Sequence, residues 1–387
     1  MKKHYKFDGL SIEVNIDRIQ NGFKADDLFD MSLRINPKRD FLFVSKVLGK
    51  YIAKNPKYIT EVSKALALNL KDEPTIFIGF AETATGLGHN VFSNFSNSEY
   101  IHTTRENRYC SSLEFKEEHS HATDHRIFLK DENFFKNNKN ICLVDDELTT
   151  GNTMLNLIRQ LHLHHPRRKY TVLTILDWRS REDQLKVSKM ESELGINIRV
   201  VSMLKGTIKC VGSRGVYENT ISNREDVISE VSVKEFSHHD VSQLTGRYGI
   251  SSSQNAIIDY VAKQVSKEFS QDETRKLVLG SGEFNYIPLK IAENMNGDTY
   301  YQSTGRSPIL PIANSGTENK FEINNIYEGF LEYLYNIPKD FYKSLYIIYE
   351  YKPSNYSHVE YTKTVNSLKK LGIPKINIIF LGGNNDA

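Results

Sequence analysis

The 387-residue sequence predicts an α/β protein: a parallel sheet flanked by helices, followed by a second, smaller α/β domain. Three observations carry that expectation. Short apolar, β-branched runs alternate with segments of helical period, the pattern that strand–helix–strand crossovers impose on a buried parallel sheet. The alternation occurs twice, on either side of a polar stretch at 207–250. The chain is also longer than one core usually fills, so two domains are expected, 1–215 and 251–387, joined by 216–250.

Taken in order, residues 1–72 read as a polar, partly strand-forming start and then a helix over FLFVSKVLGKYIAKN (41–55). Strands follow at TIFIGF (75–80), ICLV (141–144), YTVLTILDW (170–178) and INIRVVSML (196–204), with a helix after Gly151. Residues 95–135 are polar and His-rich, and a connection that long inside a compact domain is functional or disordered. In the second domain, helices are expected at 255–269, 287–295 and near 358–371. KLVLGSGEF (276–284), TYYQSTGRSP (299–308), SLYIIYEY (344–351) and INIIFLGG (376–383) supply its strands. The chain has no fixed-period repeat and no low-complexity tract.

Composition narrows the class of function. With 39% hydrophobic and 25% charged residues, this is an ordinary soluble globular chain. A formal net charge of +2 argues for neither nucleic acid nor an anionic membrane as partner, and HPRRK (165–169) reads as a solvated helix end. No window approaches the ~20 apolar residues of a membrane span, and the start lacks an apolar signal region. Cys110, Cys142 and Cys210 form no CxxC pair, which fits a reducing cytoplasm, with Cys142 a small core residue.

The chemistry concentrates in ICLVDDELTTGNT (141–153). ICLV suits a strand buried on both faces, and open parallel sheets bind ligands beyond the carboxyl ends of their strands, where Asp145 and Asp146 fall. The turn that follows opens a helix, and its backbone amides, with Gly151 for close approach, make a phosphate cradle. Thr149, Thr150, Asn152 and Thr153 complete it, the threonine hydroxyls adding donors. Two carboxylates cannot bind phosphate directly, but they match hydroxyl donors on a sugar, directly or through a metal. A ribose 5-phosphate satisfies both halves.

The same thirteen residues resemble the phosphoribosyl-diphosphate signature of type I phosphoribosyltransferases: four apolar residues, two acids and TTGxT. The resemblance implies that family's parallel sheet, and that Ala81, Glu82, Thr83, Ala84 and Thr85, after TIFIGF, line the pyrophosphate in a loop that often holds a strained peptide bond. NPKRDFLFVSKVLGK (36–50), GFAETATGLGHNV (79–91), YIHTTRE (100–106), FKEEHSHA (115–122) and TGRSP (304–308) together resemble a subgroup from bacterial tellurite-resistance and stress operons. Its C-terminal domain is named after a Thr-Arg-Ser-Pro signature, interrupted here by a glycine between Thr304 and Arg306.

That likeness implies an enzyme that displaces pyrophosphate from the ribose C1 of phosphoribosyl diphosphate with a ring nitrogen of a base-like acceptor. Mg²⁺ bridged by the substrate is the implied ion, with no dedicated protein metal site. Asp145 and Asp146 are expected at the ribose hydroxyls, and residues 100–126 as a lid carrying Arg105 and Arg108 to the pyrophosphate. His119, His121 and His125 are read as substrate or lid contacts before a zinc site, and Lys38 and Lys46 as solvated lysines. A variable hood, drawn from 1–50 and 179–215, should meet the acceptor; a homodimer is also common in the resembled enzymes. In the second domain Gly280, Ser281 and Gly282, with Arg306 and Ser307, are candidates for a further anionic ligand. Two other readings stay open: a sensor that binds a phosphoribosyl ligand without turnover, and the reverse or hydrolytic reaction on a nucleotide.

Overall fold

Five parallel strands form the centre of the first domain, and their order decides where a ligand can sit. In the computed structural model they lie side by side as Asn197–Gly212, Lys169–Asp177, Asn140–Leu148, Thr75–Gly79 and Glu99–His102. The structure describes the whole chain except 36–38, 72, 74, 106–111, 116–124, 130, 132, 138, 225–226, 237–240, 328, 354–357 and 386–387. Chain order reverses between Thr75–Gly79 and Asn140–Leu148, so the crevice at the switch point opens beyond the carboxyl ends of those two strands. An antiparallel pair, Lys2–Phe7 and Leu10–Ile19, extends the sheet at one edge, and Ile250–Ser251 closes the other.

Local sequence accounts for these elements. Ile141, Cys142, Leu143 and Val144 are all buried, as expected of a strand covered on both faces. The helix Arg181–Leu194 starts at a capping box in which Ser180 accepts from the Asp183 N–H and ends at Gly195, whose φ of +64° suits only glycine comfortably. One expectation fails. Residues 41–55 are not helical: Phe41–Ser45 is a strand paired antiparallel with Phe29–Leu33, and the helix begins only at Pro56. All five residues of FLFVS are buried, and an apolar run of that length is compatible with either period until a partner strand selects one.

The second domain is a five-stranded parallel sheet in the order Glu230–Glu235, Lys375–Asn385, Ser344–Pro353, Lys276–Gly280 and Thr299–Ser303. Its first strand comes from the stretch expected only to connect, and Ile250–Ser251, from the end of that stretch, pairs with the first sheet. The two units are therefore stitched together in both directions. Residues 49–54 run along the edge strand Thr299–Ser303: Ser303 N donates to Gly49 O at 2.7 Å, and Tyr301 N donates to Lys54 O at 2.7 Å. One apolar cluster holds Ile59 and Leu87 from the first unit with Val278, Tyr301 and Ile348 from the second.

Candidate active site

The crevice owes its shape to strand lengths. Thr75–Gly79 ends opposite Val144, while Lys169–Asp177 continues alongside, with Thr174 opposite Asp145 and Leu176 opposite Glu147. Asp145 and Asp146 therefore have a strand neighbour on one side and open space on the other. The resulting cavity, about 250 Å³, is lined by Lys50, Phe80, Ala81, Glu82, Thr83, Arg105, Asp145, Asp146, Thr153 and Ser307.

The acid pair is electrostatically stressed. Burial, then the charge of Asp146, pushes the Asp145 carboxyl well above its ordinary range; burial, then Glu147, pushes Asp146 up to about 6. Asp145 accepts from the Asp146 N–H at 2.9 Å, which aims its carboxylate along the chain. The next turn leads straight into a helix. Gly151, at φ +80°, is the N-cap of the helix Asn152–His164, and Asn152 N donates to Thr150 Oγ1 at 3.3 Å. Thr153 faces the cavity from that helix N-terminus, with Thr149 half-buried and Thr150 exposed beside it.

On the opposite wall, the loop after Thr75–Gly79 has a cis Ala81–Glu82 peptide, and Ala81 N donates to Thr103 Oγ1 at 2.9 Å. Ala81, Glu82 and Thr83 line the cavity. Ala84 and Thr85 do not. Ala84 is fully buried in the helix Ala84–Phe92, and Thr85, 3% exposed, is bound within the domain junction. Its hydroxyl donates to Glu82 O at 3.1 Å and accepts from Asn285 Nδ2 at 2.9 Å, so its partners are protein groups. Arg105 reaches the cavity, and among the described residues its buried Nε has no partner. Arg108, His119, His121 and Lys38 lie outside the described residues, as does the side chain of His125. Lys46 sits 4.0 Å from Asp30 and away from the cavity lining.

The second-domain candidates divide. Ser307 lines the same cavity as Asp145 and Asp146. Arg306 stacks its guanidinium 4.0 Å from the centre of the Phe330 ring. Gly280, Ser281 and Gly282 do not present an open anion cradle. The Gly282 N–H donates to Thr304 Oγ1 at 2.9 Å, Ser281 pairs with Phe284, and a Cβ on Gly282 would meet Glu332 Oε1 at 2.9 Å. Glu332 is buried, accepts from Thr304 Oγ1 at 2.6 Å, and is pushed up to about 7 by burial. A turn bordered by that carboxyl and by Glu283 repels an anion more than it attracts one.

Sequence reasoning missed Lys50, which is 4% exposed, forms an ion pair with Glu82 and donates to the carbonyl of Thr304 at 2.6 Å. It also missed Glu283, which accepts from Thr104 Oγ1 at 2.5 Å and Arg105 N at 2.8 Å, and Arg39, which pairs with Glu147 at 2.9 Å. No local pattern marks them, because each partner lies on a distant part of the chain.

The cavity suits an anion accompanied by a cation. Three carboxylates, on Glu82, Asp145 and Asp146, face two cations, Lys50 and Arg105. Hard oxygen donors of this kind are what Mg²⁺ prefers. Among the described residues no three His, Cys, Asp or Glu side chains gather as a metal cage. No helix among the described residues is long and apolar enough to cross a membrane.

Residues 28–207 match a family described as phosphoribosyl transferase, and residues 244–365 match the TRSP domain found C-terminal to it. No curated protein matches. Among solved structures, adenine phosphoribosyltransferase from Trypanosoma brucei, in complex with AMP, pyrophosphate and ribose-5-phosphate, is 17% identical. The alignment covers 45% of this chain and 76% of that one, with a TM-score of 0.32. The Giardia lamblia enzyme, complexed with 9-deazaadenine, is 16% identical over 47% and 95% of the two chains, with a TM-score of 0.33. A Bacillus anthracis hypoxanthine-guanine phosphoribosyltransferase is 16% identical over 34% and 71%, at 0.23.

Proposed function

We propose, for a chain that belongs to the phosphoribosyl transferases carrying a C-terminal TRSP domain, a specific division of labour around one transfer. The enzyme moves the 5-phosphoribosyl group of phosphoribosyl diphosphate onto a ring nitrogen of a base or base-like acceptor and releases pyrophosphate. The nitrogen lone pair forms the new bond to C1 as the C1–O bond breaks, and the electron pair leaves with pyrophosphate. One observation carries this reading: an acid pair, a helix N-terminus opened by a positive-φ glycine, and a small-residue loop converge on one crevice.

Asp145 and Asp146 accept the ribose 2- and 3-hydroxyls. Residues Thr149, Thr150, Gly151, Asn152 and Thr153 hold the 5-phosphate through amides and hydroxyls. Ala81, Glu82 and Thr83, with Arg105 and Lys50, take the pyrophosphate side. Charge at C1 grows as the bond breaks, so a fixed carboxylate pair near the ribose favours the oxocarbenium-like transition state. Mg²⁺ supplies screening of the pyrophosphate charge when it arrives with the substrate. The acceptor approaches from the hood side, where Arg39 pairs with Glu147 and Phe43 stacks on Trp178 at 4.5 Å. The product is a nucleotide-like metabolite, and the motif likeness connects it to stress and tellurite resistance.

The test is pyrophosphate release from phosphoribosyl diphosphate with Mg²⁺ and a panel of bases. Turnover with at least one base is expected, together with its loss in Asp145→Asn. Tight binding without release across the panel would replace the enzyme reading by the sensor.

A further inference from the structure

We propose that the C-terminal domain builds the pyrophosphate side of the transferase cleft, by seating Lys50 through Thr304 and Gly305 and seating Arg105 through Glu283. This rests on the transferase reading above and gives the second domain a role in the same site.

Lys50 illustrates the dependence. Its ammonium has three donors. One goes to Glu82 of the pyrophosphate loop and one to the Thr304 carbonyl of the second domain. The residue lines the cavity, which leaves the third donor available to a ligand oxygen there. Its backbone is fixed by the same domain on both sides: Gly49 O accepts from Ser303 N at 2.7 Å, and Lys50 O accepts from Gln302 Nε2 at 3.3 Å. Gly305 then explains the interruption of the Thr-Arg-Ser-Pro run. A Cβ at that position would lie 2.6 Å from Lys50 Cε, 2.8 Å from its Nζ and 3.1 Å from Glu82 Oε1. The Gly305 backbone φ lies outside the left-handed region, so a side chain there would displace the lysine head rather than strain the main chain.

Glu283 does the equivalent work for the other cation. Its carboxylate accepts from Thr104 Oγ1 at 2.5 Å and from the Arg105 amide at 2.8 Å. Its own carbonyl accepts from Thr85 Oγ1 at 3.3 Å, and neighbouring Asn285 donates to the same hydroxyl at 2.9 Å. Thr85, just past the lining residues 81–83, and the segment 104–105 are thus both held by residues about 200 positions later in the chain. Ser307 of the same domain faces the cavity directly. By contrast, the ribose acids and the 151–153 turn belong to the first domain. The inference therefore predicts a split: disturbing the second domain's grip should weaken pyrophosphate and spare the phosphosugar.

Gly305→Ala and Glu283→Gln in the full-length chain test this by calorimetric titration with Mg²⁺-pyrophosphate and, separately, with ribose 5-phosphate. Each variant is expected to bind pyrophosphate about tenfold more weakly, the scale of one displaced charge-assisted contact, with ribose 5-phosphate unchanged within about twofold. Lys50→Met should reproduce the pyrophosphate loss, and thermal melts confirm folding. Unchanged pyrophosphate affinity in folded Gly305→Ala and Glu283→Gln, or equal weakening of both ligands, overturns the proposal and leaves the transferase reading intact. A parent protein that binds neither ligand overturns both.

Discussion

At the scale of single residues, the acid pair shows function opposing stability. Each carboxyl is held above its ordinary range by burial and by its neighbour's charge, so the folded chain binds a proton more tightly than the unfolded chain does. Between the ordinary carboxylate range and about pH 6, the folded state therefore holds more protons, and stability from this pair falls as pH rises through that window. Asp146→Asn should be more stable than the parent at pH 7.5 by about 1 kcal/mol, with the gain shrinking toward pH 4.5. Urea titrations at the two pH values measure this; a constant difference would remove the pair as its cause. On the proposed mechanism the same replacement, or Asp145→Asn, should lower kcat/KM by about a hundredfold or more, since it removes a group assigned to the ribose hydroxyls. Gly151 is the other sensitive residue. Its φ of +80° makes Gly151→Ala cost about 1 kcal/mol in stability, read by the same titration, and its amide turn should hold the 5-phosphate less well.

At the scale of elements, what the sequence made legible was local. The strand, the two acids and the helix N-terminus sit within thirteen consecutive residues, so propensity, burial and turn chemistry all act on one segment and agree. The strand Phe41–Ser45 was misread because its partner, Phe29–Leu33, precedes it by a connection that shows no hairpin signal. Lys50 was illegible for the same reason in stronger form: its carbonyl partner Thr304 is 254 residues away. The misread hairpin has a consequence of its own. Phe43 stacks on Trp178 at 4.5 Å and 16°, and Phe29 packs edge-on against the same indole. Trp178 is the only tryptophan in the chain, so its fluorescence reports on how Phe29 and Phe43 pack against the end of the central strand Lys169–Asp177. Phe43→Ala should cost about 3 kcal/mol in stability and shift the emission to longer wavelength as water reaches the indole. An unshifted emission maximum would show that water is kept from the indole without this stack.

At the scale of the whole molecule, the two sheets are unlike independent modules. A separable domain keeps its own core, and its boundary falls where few contacts cross. Here one apolar cluster contains Ile76, Leu87 and Ile101 together with Val278, Tyr301 and Ile348. The connecting stretch adds a further tie: Arg247 donates to both Glu350 oxygens at 3.0 Å, within a buried ion pair that joins it to the second sheet. His89 stacks on Tyr286 at 3.8 Å and meets Asn255 at 2.9 Å, and burial depresses its imidazole to about 3, so it stays neutral across the working range. Opening either sheet would strip these groups of partners and expose apolar surface on the other. Full-length protein should therefore unfold in one calorimetric transition, with calorimetric and van't Hoff enthalpies in agreement. Glu350→Gln should lower the temperature of that single transition, because it removes the carboxylate to which the buried Arg247 donates twice, at a cost of about 3 kcal/mol. Two resolved transitions, with only the later one moved by Glu350→Gln, would mean that the halves fold separately. The second domain could then not hold the cleft as tightly as Thr85, Lys50 and Arg105 require.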